Sequence, residues 1–302
     1  MKFYIVTPVF NGMPWLPACV RSVMDQAGEG VEVHHHVQDG GSADGTVAWL
    51  RKWAEEQALA DGYRFTWESA PDAGMYDAIN RAWDAMPEDA EVTAHLNGDE
   101  QYLEGALADV ASWMQRKPEA DVLLGTYVIV EPNYRYICHR RPVTPRYWSS
   151  LMCCVCITNS SFYRAEAFRR LAPRFDTSWK VIGDLIFFRE LTKQGARFCT
   201  IPSVTSCFVC TGENLAWTER GNREWQRLLA ETPAFWRRVD PLVCRWTNFR
   251  RRVADWFLPS PHQYAVYLDD NKKRTPFSVE RPTVVWPARF RNVSRNADAP
   301  DA

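Results

Sequence analysis

Residues 31–46, VEVHHHVQDGGSADGT, join a short apolar strand to the start of a helix through a sharp turn. Residues 31–37 have the length and β-branched content typical of a strand. The turn falls at Gln38-Asp39-Gly40-Gly41, where the two glycines accept backbone angles that other residues avoid. A helix is predicted to open at residues 42–45. A strand that leads directly into a helix is the repeating unit of α/β proteins, and this pattern predicts the fold class.

The same alternation of strand and helix extends along the first hundred residues, and a further helix and strand follow. It predicts βαβ units and therefore a Rossmann-like, mixed, mostly parallel sheet flanked by helices. Ligands of such sheets bind beyond the carboxyl ends of the strands. The polar turns after the first, second and fourth strands should share that edge, which brings Asp39 and Asp99 together. The predicted strands are 3–7, 31–37, 63–68, 92–96 and 122–130, and the predicted helices are 14–27, 42–53, 75–85 and 103–115.

The composition is that of an ordinary folded protein. The 302 residues include 36 Lys and Arg against 37 Asp and Glu, which leaves a formal net charge of -1 and argues against a nucleic-acid partner. No apolar run approaches the roughly 18 residues that a membrane span needs. Residues 1–8 lack the pattern of a signal peptide, so we expect a cytoplasmic location.

Clustered cysteines and histidines could suggest a metal site, but their spacing argues against one. Neighbouring residues of a strand point to opposite faces and do not converge on one ion. We therefore expect the nine cysteines to be reduced core residues and the histidine run to be divided between two faces. The residues concerned are Cys153, Cys154, Cys156, Cys207, Cys210, His34, His35 and His36.

Four ordered motifs carry a resemblance to a known family. They are Thr7-Pro8-Val9-Phe10-Asn11-Gly12, residues 38–46 (QDGGSADGT), residues 71–80 (PDAGMYDAIN) and Leu96-Asn97-Gly98-Asp99-Glu100. Over residues 1–215 the chain resembles the family-2 glycosyltransferases, whose fold is called GT-A. The resemblance implies an inverting enzyme that moves a sugar from a nucleoside-diphosphate sugar to a hydroxyl of a glycan or lipid-linked acceptor, as in cell-surface polysaccharide or lipopolysaccharide synthesis.

The resemblance also implies an organisation into domains. Residues 1–235 would form the GT-A domain, with a nucleotide-binding half at about 1–101 and an acceptor-side half at about 102–235. Residues 236–302 would form a C-terminal amphipathic helix and a tail.

A donor site follows from the matched motifs, at Thr7, Pro8, Asn11, Asp39, Asp72, Asn97 and Asp99. In the family, the acid at the position of Asp39 contacts the base of the nucleotide. The residues alone leave an alternative, in which Asp39 forms a turn by bonding to its own backbone before Gly40.

Asp99 matches the acid that holds Mn²⁺ or Mg²⁺ in the family, where the cation neutralises the diphosphate of the donor. Glu100 is a second candidate metal ligand. Asn97 is neutral where the family often has an acid, and Glu100 is longer than the usual final aspartate. An ordinary polar loop at a strand end is the alternative.

Asp184 is the candidate catalytic base that takes the proton from the acceptor hydroxyl, since it matches an acidic residue at a helix start in the acceptor-side half of the family. A simple helix-capping role is the alternative. Thr158-Asn159 stands where relatives often carry His-Gln, and residues 211–214 (TGEN) could form a loop that closes over the donor.

A late helix is predicted to begin at Asp240-Pro241 and to run to Leu258. Its apolar stripe is predicted to contain Leu242, Trp246, Phe249, Val253 and Trp256, with arginines at the edges. The plainer interpretation packs this stripe against the catalytic domain. The alternative places it on the inner face of the cell membrane, as a peripheral contact.

Two other functions compete with sugar transfer. A sugar nucleotidyltransferase would need a glycine-rich basic loop after the first strand, and residues 9–13 (VFNGM) do not form one. A catalytically degenerate GT-A fold that binds a nucleotide sugar or a glycan is kept open by Asn97 and Glu100.

Overall fold

A computed structural model describes residues 1–56, 61–151, 157–210, 218–257, 262–268 and 272–285. The strands are β1 (Lys2–Val9), β2 (Glu32–Asp39), β3 (Tyr63–Ser69), β4 (Val92–His95), β5 (Gln101–Tyr102), β6 (Val122–Val130), β7 (Tyr136–Arg140), β8 (Ser161–Arg164), β9 (Phe198–Val209), β10 (Gln263–Val266) and β11 (Thr275–Ser278). The helices are α1 (Leu16–Met24), α2 (Thr46–Glu56), α3 (Met75–Asp84), α4 (Ala106–Arg116), α5 (Ala165–Leu171), α6 (Gly183–Lys193), α7 (Glu219–Glu231) and α8 (Ala234–Phe257).

A mixed nine-stranded sheet forms the centre of the molecule, in the order β3-β2-β1-β4-β8-β6-β9-β5 with β7 paired to β6. Strands β3, β2, β1 and β4 are parallel, as the alternation of strands and helices predicts. Strand β8 runs antiparallel between β4 and β6, and β9 is parallel to β6. The predicted α/β class with a mixed sheet is therefore confirmed.

Strand β1 lies inside the sheet and is buried on both faces. Phe3 and Ile5 pack on the side of α1 and α4, whereas Tyr4 and Val6 pack on the side of α3, α5 and α6. This two-sided burial explains why the strand is almost continuously apolar and does not alternate with polar residues.

An aromatic cluster joins α3 to α6 on the second face. The ring of Trp83 stacks on Phe175 and Phe187, with centroid distances of 5.6 and 5.8 Å. His95 meets the Trp83 ring edge-on at 5.6 Å. These rings fix the position of α6 relative to the edge of the sheet where β1 and β4 end.

The histidine run is divided between the two faces, as predicted. The His35 ring is buried between the Thr7 and Tyr63 hydroxyls, at 2.8 and 2.9 Å. His34 and His36 lie on the other face, where both contact the hydroxyl of Thr66 at 2.9 Å.

In the parts of the chain that the structure describes, five cysteines form no disulfide, of which four are buried and Cys199 is half-buried. Cys244 differs from the prediction because it is disulfide-bonded. The cluster at 153–156 lies outside the described residues.

A C-terminal hairpin, β10–β11, packs back onto the sheet. Tyr264 and Val266 share a core cluster with Val128 and Leu103. The side chain of Gln101 accepts from the N–H of Tyr267 at 2.8 Å and donates to the carbonyl of the same residue at 2.9 Å. The hairpin therefore supports β5, which directly follows the loop that carries Asp99.

The late helix differs from the sequence prediction in two respects. It begins at Ala234, so Pro241 lies inside α8 and Asp240 is not its N-cap. The prediction was wrong because the helix continues upstream through Phe235 and Trp236, and the exposed position of Pro241 allows a long helix to tolerate one missing hydrogen bond. Packing of the stripe against the domain is also wrong, since Trp246 and Phe249 are exposed.

Lower pH should destabilise the fold through its buried histidines. Burial lowers the pKa of His35 and of His95 to about 3. An unfolded histidine titrates near about 6.5, so the stability given by the neutral rings is complete above that pH and is lost as the pH falls toward the folded values. At a pH of about 5, each such ring accounts for a loss of about 2 kcal/mol.

The His95→Phe variant should remove about that share of the pH dependence, measured as the free energy of urea unfolding at about pH 7.5 and about pH 5. Exposed His262 supplies the matched control, His262→Phe. An unchanged pH dependence in His95→Phe would contradict the assignment.

Candidate active site

Two of the predicted acids lie along one edge of the sheet. Asp39 is the last residue of β2, where it is paired with Val9 of β1. Asp99 follows β4, which pairs with the other side of β1. Because all three strands are parallel, both acids lie at the carboxyl edge that usually binds ligands.

Asp39 organises the turn after β2. Its Oδ2 accepts from the N–H groups of Gly41 and Ser42, each at 3.0 Å, and from the Ser69 hydroxyl at 2.6 Å. Its Oδ1 accepts from the Ser42 hydroxyl. The turn-forming role left open by the sequence is therefore present. Asp39 is buried, and its Oδ1 accepts one of these hydrogen bonds against three at Oδ2, so Oδ1 is the oxygen with capacity left for a ligand N–H.

The loop after β1 is tied to the loop after β2. Asn11 has a positive φ of 51°, and its side-chain oxygen accepts from the N–H of Ala43 at 3.1 Å. Its own N–H donates to the Ser42 hydroxyl at 2.7 Å. Beside this junction the ring of Phe10 is exposed. The donor contact predicted for Asn11 stays a prediction, and its observed role is to hold the two loops together.

Thr7 and Pro8 are buried within β1. The hydroxyl of Thr7 contacts the His35 ring and, at 3.9 Å, the sulfur of Cys19. The geometry gives both side chains a packing role, and a donor contact by either stays a prediction.

Asp72 lies just before α3, with its carboxylate next to Gly40 at the carboxyl edge of the sheet. Its Oδ1 accepts from the N–H of Gly74 at 2.7 Å. A Cβ on Gly40 would lie 2.7 Å from its Oδ2, so a larger residue at position 40 would require this carboxylate to move. The ammonium of Lys180 donates to the carbonyl of Ala73 and adds a cation next to the acid.

In the loop 97–100, the side chain of Glu100 points into the protein interior. Glu100 is buried, and its two oxygens accept from the N–H of Asn97 and from the side-chain amide of Asn159, both at 3.0 Å. Burial raises the pKa of Glu100, and the charge of Asp99 raises it further. Burial also raises the pKa of Asp99. Because Glu100 is buried and its oxygens hold Asn97 and Asn159, we propose a positioning role for it instead of metal ligation.

The residues present fit a hard divalent cation. The side-chain oxygen of Asn97 is buried and has no hydrogen-bond partner in the described parts of the chain. Within the same residues, no three His, Cys, Asp or Glu side chains gather as a metal-binding group. Mg²⁺ is commonly held by one or two carboxylates together with substrate phosphates. Asp99 and Asn97 match that kind of site, and a cation there would relieve the cost of burying two acids.

Asp184 lies in the first turn of α6 and is tied to α3. Its N–H donates to the Tyr76 hydroxyl at 3.3 Å, and its Oδ1 accepts from the N–H of Leu185 at 2.8 Å. A Cβ on Gly183 would lie 2.4 Å from the Tyr76 ring, so glycine permits this close approach. Burial and the Asp184 charge raise the pKa of Tyr76. Helix α3, which begins just after Asp72, thus links the candidate base to the donor edge.

Glu224 of α7 fixes the segment that leads into α6. Its buried carboxylate accepts from the N–H groups of Lys180, Val181 and Ile182, at 2.7, 2.9 and 3.1 Å. Three donors from consecutive residues leave the segment little freedom, and Asp184 follows two residues later. Glu224 is therefore a positioning residue.

If the chain has the activity that its motifs predict, replacing Glu224 by glutamine should lower the rate of sugar transfer about 10- to 100-fold, because a small misplacement of a reacting group is enough for that loss. The amide can accept fewer of the three N–H groups, so the melting temperature should also fall. The matched control is Glu219→Gln on the same helix, where the side chain is exposed. Transfer at the wild-type rate by folded Glu224→Gln would contradict the positioning role.

The sequence interpretation missed Glu224, Lys180 and Phe10. The roles of Glu224 and Lys180 depend on contacts between distant segments, which no local spacing reveals. Phe10 had a local signal, since it is an aromatic residue at the end of a strand that leads to the ligand edge. The loop predicted at 211–214 lies outside the described residues.

The sequence model described as Glycosyl transferase family 2 matches residues 4–181, which is more than half of the chain. The chain belongs to this family. The enzyme class predicted from the sequence, a transferase, is confirmed by this membership.

Curated relatives in the family share shorter segments. The uncharacterized glycosyltransferase Rv1514c of Mycobacterium tuberculosis is 35% identical over 95 residues, which cover 32% of this chain and 29% of that protein. A PGL/p-HBAD biosynthesis glycosyltransferase of Mycobacterium bovis is 29% identical over 135 residues, which cover 44% of this chain and 50% of that protein. The matches thus span between about a third and a half of these relatives.

Solved structures share the fold. TarS of S. aureus in complex with UDP-GlcNAc superposes with a TM-score of 0.54 at 16% identity, over 69% of this chain and 58% of that chain. The mannosyltransferase PcManGT of Pyrobaculum calidifontis, in complex with GDP-Man and Mn²⁺, gives 0.50 at 18% identity, over 76% and 60%. The family-2 fold predicted from the motifs is thereby confirmed.

Proposed function

We propose that the chain is an inverting, metal-dependent glycosyltransferase that moves a sugar from a nucleoside-diphosphate sugar to a hydroxyl of a glycan or lipid-linked acceptor. The acceptor would belong to cell-surface polysaccharide or lipopolysaccharide synthesis, on the cytoplasmic side of the membrane. The observation that carries this proposal is the link through α3 between Asp184 and the edge that holds Asp39 and Asp99. Residues 1–235 would form the catalytic unit, with halves at about 1–101 and 102–235.

The donor would lie along the carboxyl edge of β1, β2 and β4. Asp39 would accept from a ring N–H of the base through Oδ1, and the exposed ring of Phe10 offers a surface on which the base can stack. Lys180, next to Asp72, can approach the negatively charged diphosphate. The similar folds of TarS and PcManGT bind UDP-GlcNAc and GDP-Man, which supports a donor of this class.

Asp99 and Asn97 would hold Mn²⁺ or Mg²⁺ together with the diphosphate. When bound, such a cation supplies positive charge that stabilises the departing diphosphate. Glu100 would keep Asn97 in place from beneath the loop through its contact with the Asn97 N–H.

Asp184 would act as the base in a single displacement. The acceptor oxygen forms a bond to the anomeric carbon, its proton passes to the Asp184 carboxylate, and the bond from the anomeric carbon to the diphosphate oxygen breaks. Attack on the face opposite the leaving group inverts the anomeric centre. Asp184 lies in the first turn of α6, where the free N–H groups of the helix end point toward a carboxylate.

One observation favours a second candidate, a GT-A fold that binds a nucleotide sugar without turnover. Glu100 points inward and Asn97 is neutral, so Asp99 is the sole carboxylate of the loop that remains for a cation. This is fewer anionic groups than the family pattern has.

A panel of UDP-, GDP-, dTDP- and CMP-sugars, each tested with Mn²⁺ and with a chelator, separates the candidates. We expect one donor to raise the melting temperature with Mn²⁺ and to be slowly hydrolysed, because a ligand that binds the native state stabilises it. Binding without hydrolysis, or without transfer to any acceptor, would favour the binding module. A panel in which no donor shifts the melting temperature would overturn the proposal.

A further inference from the structure

Helix α8 presents an apolar stripe to solvent. The exposed fractions of its four members are 66% for Phe235, 63% for Leu242, 52% for Trp246 and 53% for Phe249. Their spacings of seven, four and three residues place them on one side of a helix. The rings of Trp246 and Phe249 stack at a centroid distance of 5.7 Å. At 1.5 Å per residue this stripe, the α8 stripe, is about 21 Å long.

A row of cations follows the stripe. Arg238, Arg245 and Arg252 are exposed, and their spacing of seven residues keeps them nearly in line along the helix. In the described side chains of α8 there is one carboxylate, Asp240, and it is half-buried. The exposed side of α8 therefore carries large apolar side chains with a line of positive charges beside them. We call Arg238, Arg245 and Arg252 the arginine row.

The opposite side of α8 packs against the domain. Thr247 is buried, and the helix contacts the 3₁₀ turn Tyr147–Ser150. The same turn contacts α6, the helix that carries Asp184. The α8 stripe thus faces away from the core while α8 itself is held close to the acceptor side of the candidate active site.

We propose that the α8 stripe and the arginine row dock the protein on the surface of an anionic lipid bilayer. Tryptophan and phenylalanine side chains partition into the boundary between headgroups and acyl chains, and arginines attract anionic headgroups. Uniform positive charge beside the stripe matches such a surface. Among the described residues, no helix has the length and hydropathy needed to cross a membrane, so the contact would be peripheral.

The proposed function places the reaction on the cytoplasmic side of the membrane, and this inference rests on that proposal. It adds which surface of the protein contacts the membrane and which class of lipid it binds. The 3₁₀ turn Tyr147–Ser150 contacts both α8 and α6, so the docked helix and the helix that carries Asp184 share a neighbour in the fold.

Sedimentation of the full chain with vesicles tests the proposal without any sugar donor, so its failure would leave the transferase proposal intact. The probes are neutral phosphatidylcholine vesicles and phosphatidylcholine vesicles with added phosphatidylglycerol. We expect binding to the anionic vesicles that weakens as salt is raised, because salt screens exposed charges.

Arg238→Gln combined with Arg245→Gln and Arg252→Gln should weaken binding about 100-fold. Trp246→Glu with Phe249→Glu should abolish it.

The matched control removes three exposed arginines outside α8, so that the change in charge is the same. This triple variant, Arg51→Gln with Arg64→Gln and Arg223→Gln, should bind the vesicles like the wild type. Circular dichroism and the melting temperature establish that each variant is folded. Equal binding to neutral and anionic vesicles, or wild-type binding by folded variants of the arginine row, would overturn the proposal. So would a wild-type dimer that Trp246→Glu with Phe249→Glu converts to monomer, because the stripe would then bind a second copy.

Discussion

The Asp184→Asn variant should lose sugar transfer by about 1,000-fold or more while it still binds the donor. A positioned general base typically contributes a factor of about 100 to 10,000, and asparagine cannot take the acceptor proton. Asparagine keeps the shape of the side chain and can still accept from the N–H of Leu185, so the start of α6 should stay folded. Transfer rate and donor affinity, the latter by calorimetry or melting-temperature shift, are the two measurements.

Glu190→Gln is the matched control, since Glu190 lies on the same helix and is partly exposed. It should transfer at nearly the wild-type rate. A loss of donor affinity in Asp184→Asn with little change in the rate of the bound complex would move Asp184 to the donor site. Full activity in Asp184→Asn would remove it from the mechanism.

Asp99→Ala should abolish the part of donor binding that depends on metal. Once the carboxylate is removed, Asn97 alone is too weak a ligand for a hard cation next to a diphosphate. We expect donor affinity in Mn²⁺ to fall about 100-fold or more, to the value that the wild type shows with a chelator, and transfer to fall with it. Titration of the donor with and without Mn²⁺ measures this directly.

Asp109→Asn, on the exposed side of α4, serves as the control for loss of an acidic residue and should behave like the wild type. If Asp99→Ala binds the donor as tightly as the wild type, with and without chelator, the metal role of Asp99 is wrong. Because Asp99 lies in a loop at the sheet edge, the fold should survive the change, and the melting temperature without ligand establishes this.

Much of the fold could be predicted from the sequence because its units are local. The strands β1 to β4 and the helices between them follow from apolar runs, turn residues and helical periodicity. The edge shared by Asp39 and Asp99 follows from the parallel order of these strands. In each case, the information lies within a few residues of the feature.

The features that escaped prediction depend on contacts between distant segments. Glu224 acts on residues 180–182 across 42 to 44 positions, and its type alone indicates an ordinary surface acid. The inward direction of Glu100 depends on Asn159, 59 residues away. Whether the stripe of α8 is covered or exposed depends on tertiary packing, which periodicity does not contain. The periodicity shows that a helix has an apolar side but does not show what that side meets.

The contact between Gln101 and Tyr267 sets an order of events during synthesis. The two residues are 166 positions apart, and ribosomes add about 5 to 20 residues per second, so the partner of Gln101 emerges roughly 8 to 33 s later. Until then, the amide next to the Asp99 loop has no hairpin to hold it. In a nascent chain, this support of β5 therefore forms only after the hairpin has been translated.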